Sequence, residues 1–235
     1  MTTCKVRWSW LQAMLQFASD ADDEKHTELM GVHFNLSREH SFMSSTNGTV
    51  AAWLPLDLGV EIEGADEFTL SAKHIAILPQ LESTQWGKPA EIIELNLCPK
   101  SDMPRQVHVG IPLCSCNWCF PLMLNDYPDL TSIIPIASAE KAGVVRLNFD
   151  LVGRFAMAAK YISPTQTPAI SIRIAQENEP TMVRIAGTPF FGLLMPMNAP
   201  GEVQYDSPKW LKAAIVKENI GLMMREQCDH CPTTC

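Results

Sequence analysis

The sharpest local chemistry in the sequence is carried by cysteine. Six of the eight cysteines fall in two groups, Cys114-x-Cys116-x-x-Cys119 and Cys228-x-x-Cys231-x-x-x-Cys235, with His230 beside the second. Two-residue gaps let a pair of thiolates reach one tetrahedral zinc, and two such pairs close a four-ligand structural site. The expected ligand set is Cys116, Cys119, Cys228 and Cys231. The competing reading leaves the first group on a strand that never meets the second. Catalytic signals are missing: there is no phosphate-binding glycine loop, no His-Glu-x-x-His and no nucleophile elbow. The acidic run at 20–24 reads as a solvated loop. His26, His33, His40, His74 and His108 are scattered and read as surface or satisfied strand residues. The expectation is a protein that is not an enzyme.

Composition narrows the partners. Hydrophobic residues make up 46% of the chain, enough for real cores, while 18 Lys plus Arg against 26 Asp plus Glu give a formal charge of −8. That balance excludes a surface that binds nucleic acid everywhere and confines any DNA contact to a local face. The N-terminus has no apolar signal-type run and no stretch suits a membrane helix. A cytoplasmic protein with no membrane partner is expected, its thiols reduced or bound to metal.

Strand and helix periods alternate along the chain. Period-two faces run through Met30, Val32, Phe34 and Leu36, through Val60 and Ile62, through Ile93, Leu95 and Leu97, through Val107, Val109 and Ile111, through Val145, Leu147 and Phe149, and through Ile170, Ile172 and Ile174. Helical segments open at Ser9, with Gln12 completing a capping box, and at Ser71, Asp150 and Ser207. Each follows a strand-like segment, so the chain reads as a degenerate repeat of one strand–helix–strands unit. Helices on one face of antiparallel strands make an α+β layer architecture. Prolines and polar residues interrupt the periodicity at 121–135, and the expected domains are 1–125 and 126–235, the second carrying a Cys-rich tail.

Four stretches give the chain a resemblance to a known family. Residues 126–135, Asp-Tyr-Pro-Asp-Leu-Thr-Ser-Ile-Ile-Pro, resemble the interdomain segment of the β subunit of bacterial DNA polymerase III, the DNA sliding clamp. Phe149–Ile162 resembles the amphipathic helix after it, Ser-Thr-Asn-Gly-Thr-Val-Ala-Ala at 45–52 resembles the turn Ala-Thr-Asp-Gly-His-Arg-Leu-Ala, and Gly-Leu-Leu-Met-Pro-Met at 192–197 resembles the ending Val-Val-Met-Pro-Met. The sequence departs from the family in Asn47 for the turn's Asp, in Val50 for its Arg, and in a length that suits two domains rather than three. Helix 150–162 aligns either with the first or with the second helix of the family's last domain.

The resemblance implies a DNA-clamp fold and a shortened or phage-like processivity factor that binds or encircles double-stranded DNA as a homo-oligomer. Its DNA-facing cations would be Lys73, Arg154, Lys160, Lys209 and Lys212. It also implies an apolar groove for DNA polymerase or other clamp-binding peptides, lined by Ala51, Pro128, Ile133, Met195, Pro196 and Met197. A clamp-fold adaptor or zinc-stabilised interaction module without DNA encirclement is the alternative.

Overall fold

The computed structural model describes residues 2–19, 27–38, 40–56, 60–61, 65–78, 91–99, 105–111, 117–123, 126–134, 146–163, 165–173 and 179–197. By contact, Met1–Asn198 is one compact unit and Ala199–Cys235 another, and every described residue belongs to the first. The helix expected after Ser207 lies outside the described residues.

Strand β1 (Thr2–Arg7) turns Cys4 and Val6 inward and runs directly into helix α1 (Trp8–Leu15). The expected cap at Ser9 is corrected here. Arg7 occupies the cap position without a capping bond from its side chain, and the Trp8 N–H donates to the Glu91 carbonyl at 2.9 Å. A strand-edge carbonyl thus satisfies a donor of the first turn, and no capping box is needed. Strands β2 (Gly31–Leu36), β3 (Phe42–Thr46) and β4 (Val50–Pro55) follow, then the short β5 (Val60–Glu61). The second unit is β6 (Asp66–Ser71), helix α2 (Ala72–Ile77), β7 (Ile92–Leu97), β8 (Gln106–Gly110) and β9 (Asn117–Pro121). Ser71 caps α2 as expected, its hydroxyl accepting from the Lys73 N–H at 3.3 Å.

Helix α3 (Phe149–Ile162) leads into β10 (Ile170–Arg173), β11 (Thr181–Ile185) and β12 (Phe191–Leu194). It starts one residue before Asp150, because the Asn148 side chain accepts from the Asp150 N–H at 2.9 Å. Asp150 then sits in the first turn, where negative charge suits the helix dipole. The strand expected through Val145, Leu147 and Phe149 is also corrected: residues 146–148 carry no strand, and Phe149 stands 86% exposed on the helix start. Ile172, on the edge strand β10, is likewise exposed.

The two strand–helix–strands units exchange their first strands. One sheet runs β5-β1-β7-β8-β9 and the other β10-β11-β12-β4-β3-β2-β6, every pairing antiparallel. Helix α1 packs on β2, β3 and β4 and α2 on β6 and β2, and the second sheet crosses residue 125 through the pairing of β4 with β12. Val32, Phe34, Leu36, Met43, Ala52 and Leu54 face the helices and join one core with Leu11, Met14 and Phe17. Phe17, Phe155 and Phe190 meet where α1, α3 and β12 converge, with ring centroids 4.9, 5.6 and 6.1 Å apart. A Cβ on Gly192 would fall 2.3 Å from Phe155, so only glycine lets α3 seat on β12.

Candidate functional site

The hairpin between β3 and β4 is organised by Asn47. Its side-chain carbonyl accepts from the Thr49 N–H at 3.0 Å, the Thr49 hydroxyl at 2.8 Å and the Val50 N–H at 3.0 Å. Gly48 supplies the left-handed backbone, φ 86°, that lets the chain reverse there. An Asn carbonyl oxygen therefore does the turn-forming work that an Asp carboxylate would do. The turn reaches further: the Thr49 carbonyl accepts from the Met195 N–H at 3.0 Å, one step beyond the pairing of Val50 with Leu194 and Ala51 with Leu193. The Met197 N–H goes to the Arg146 carbonyl at 2.8 Å, which ties the strand's far end to the approach of α3.

The face of this sheet away from the helices carries the second part of the site. Registers place His33 beside Ser44, Ser44 beside Trp53, and Trp53 beside Phe191, a row across four strands. The segment 126–134 reaches this row. The Tyr127 ring stacks on His33 with centroids 4.4 Å apart and planes 2° from parallel. His33 Nδ1 shares a 3.0 Å hydrogen bond with the Thr69 hydroxyl, and burial pushes the His33 pKa down to about 4. Burial also raises the Tyr127 phenol above its ordinary range. Ser44 opposes that shift slightly, yet the Tyr127 hydroxyl makes no hydrogen bond of good geometry. Beneath this stack a pocket of about 210 Å³ opens among residues including Phe42, Ser44, Trp53, Tyr127, Pro128 and Leu130.

Of the six expected groove residues, Pro128 lines this pocket, and Ala51, Ile133, Met195, Pro196 and Met197 do not. Pro128 is exposed and lines the pocket with Trp53. Ala51 lies two residues before Trp53 on the same face of β4, opposite Leu193, but only 2% of it is exposed. Met195 is 39% exposed, Met197 47%, Ile133 40%, and Pro196 half-buried. His33, Phe42, Trp53, Glu67 and Tyr127 were not anticipated as site residues. Their signal was the alternate position of His33 on β2, which reads as an ordinary strand residue until the register with β3 and β4 brings Ser44 and Trp53 beside it and Tyr127 stacks on it.

The expected cations are less concentrated. The Arg154 guanidinium donates from Nη1 to the carbonyls of Gln16 at 3.0 Å and Ala18 at 3.3 Å, just past the C-terminal end of α1. Carbonyls at a helix end attract a cation, so Arg154 serves the packing of α3 on α1. Lys160 is exposed on α3, and Lys73 is exposed on α2, which packs on β6 and β2. Helix α1 carries no lysine or arginine. Lys209, Lys212, Cys116, Cys228 and Cys231 lie outside the described residues. Cys119 is an exposed free thiol on β9, its Sγ 2.9 Å from the Gln106 side-chain oxygen, and no metal-binding cluster occurs among the described residues.

No protein-family model and no curated protein sequence matches the chain. Solved structures do. The DNA polymerase III β subunit of Thermotoga maritima superposes with a TM-score of 0.59 at 15% identity, over 85% of this chain and 66% of that one. The β subunit of Borrelia burgdorferi, in complex with a natural product, gives 0.61 at 14% identity over 84% and 63%. The sliding clamp of Pseudomonas aeruginosa, with ligand, gives 0.61 at 14% over 84% and 66%. The fold is that of the DNA sliding clamp. The chain spans slightly less than two thirds of the length of these clamps. Antiparallel sheets with few helices are shared with these clamps and follow the sequence periods; the exchange of first strands was not legible in them. Among the described residues no helix is long and apolar enough to cross a membrane.

Proposed function

We propose that this chain is a clamp-type scaffold that docks partner peptides on the outer face of its seven-stranded sheet and associates with double-stranded DNA as a homo-oligomer. The supporting observation is the pairing of β4 with β12, which sets the Asn47 turn against Met195 while Tyr127 and Pro128 cover the same face. Exposed Met195, Met197 and Ile133 with half-buried Pro196 supply apolar wall, and unbranched methionines adapt to different anchors. The clients are peptides with hydrophobic anchors, of the kind a DNA polymerase or another clamp-binding protein presents. On this reading 1–125 and 126–235 are two clamp-like halves sharing one sheet, and the chain performs no chemistry of its own.

Met195→Glu tests it. At an open wall the change weakens a hydrophobic-anchor peptide at least tenfold, read by fluorescence anisotropy, and leaves the melting temperature nearly unchanged. Unaltered peptide affinity, or unfolding in place of lost binding, overturns the groove.

A second reading, an adaptor that does not encircle DNA, is favoured by one observation: α1 has no cation and Arg154 is engaged with α1. The mass of the native particle separates the two, since two halves close a ring only as an oligomer joined through sheet edges. A structural zinc held by Cys116, Cys119, Cys228 and Cys231 is a further element of this reading. The purified protein should carry one zinc, and Cys119→Ser with Cys231→Ser should release it.

A further inference from the structure

We infer that the pocket beside Tyr127 and Pro128 receives the guanidinium or ammonium group of an arginine or lysine side chain from a docked peptide. This rests on the reading of the same face as a peptide-docking surface and names a charge requirement that apolar anchors do not supply.

Size is the first argument. About 210 Å³ lies below the roughly 300–1,000 Å³ of pockets that enclose whole small molecules, so a single side chain is the fitting occupant. The walls are the second. Phe42, Trp53 and Tyr127 present three aromatic rings, and a cation over an aromatic face is attracted by the ring quadrupole. The same face already makes such a contact: the Arg184 guanidinium lies 4.8 Å from the Phe191 ring centroid, and Phe191 packs 5.4 Å from Trp53.

Charge is the third. Exposed Glu67 lines the pocket, and no lysine or arginine does among the described residues. Of the nearby cations, Arg105 holds both Asp66 carboxylate oxygens and the backbone carbonyl of Glu67, and Arg184 lies over Phe191 with a hydrogen bond to the Phe190 carbonyl. His33 stays neutral at physiological pH because burial lowers its pKa. The lining therefore repels an anion.

The test uses the full chain with uniform ¹⁵N labelling and follows the Trp53 indole, assigned with Trp53→Phe. N-acetylarginine amide is titrated against its neutral isostere N-acetylcitrulline amide and against tetramethylammonium. Saturable shifts with the arginine probe, at least fivefold weaker with citrulline and at least threefold weaker in exposed Glu67→Gln, support the site. An equal response to citrulline, or no saturable shift, overturns it. Tetramethylammonium binding more tightly than arginine amide overturns the peptide source. No peptide is present, so this result is separate from that of Met195→Glu: loss of peptide binding there with no arginine response here leaves the groove standing and removes only the cation site.

Discussion

The two faces of the seven-stranded sheet solve different problems. The face toward α1 and α3 is closed: Phe17, Phe155 and Phe190 interlock, Gly192 removes a side chain to admit them, and Arg154 is used on helix-end carbonyls. The opposite face is half-finished. It holds a stacked His33 and Tyr127 and a pocket, and Met195 and Met197 stand exposed beyond the end of β12. In clamps, by the resemblance, the helix side meets DNA, yet here the described helix side has most of its specificity directed inward. The open chemistry is on the other side.

Substitutions on the two faces should separate stability from binding. Phe155→Ala removes the ring at the centre of the aromatic junction and should cost about 3–5 kcal/mol in denaturant unfolding. If it costs less than about 1 kcal/mol, the closed face is not closed. On the outer face the largest stability effect should depend on pH. His33 is held neutral in the fold, with a pKa of about 4 against an ordinary 6.5. The unfolded chain takes up a proton first as pH falls, so stability is full above about pH 6.5 and declines down to about pH 4, by up to about 3 kcal/mol. Glu67 and Asp129, which line the adjoining pocket, attract the proton and reduce that loss. His33→Phe should flatten this part of the melting-temperature profile, and an unchanged profile would remove His33 as its cause. Gly192→Ala should cost about 1–3 kcal/mol by overpacking against Phe155, checked in the same denaturant series. Asn47→Ala should be the mildest for the fold, about 1 kcal/mol. Its effect on peptide affinity should be larger, because the turn positions the Thr49 carbonyl that holds Met195. Equal losses in both would show that the turn serves the fold alone.

Much of the fold was legible because burial follows period. Val32, Phe34 and Leu36, or Ile93, Leu95 and Leu97, alternate cleanly and are buried as expected. Helix starts were legible where the cap is local, as at Ser71, and missed at Ser9, where a carbonyl from residue 91 takes over. The strand through Phe149 was misread because an apolar residue at a helix start can stand in solvent when Asn148 turns the chain first. At the candidate site, the Met-Pro-Met and Tyr-Pro-Asp segments were recognisable by resemblance alone. The pocket was not, since His33 and Trp53 acquire their neighbours only through the register of four strands and a covering loop. Arg154 shows the same limit: its type and helix position suggested an outward cation, and a contact to residues 16 and 18 redirects it.

The pairing of β4 with β12 also has a consequence in time. Residues 51 and 193 are cross-strand neighbours, and contacts so distant along the chain form late, because the loop between them must close before the pairing rewards it. A nascent chain that has not emerged through residue 194 carries β4 as an unpaired sheet edge, with its backbone amides and carbonyls open to other strands. Until β12 arrives, the growing chain exposes an edge that invites misassociation, and the strand that leads to Met195 is also the one that closes that edge.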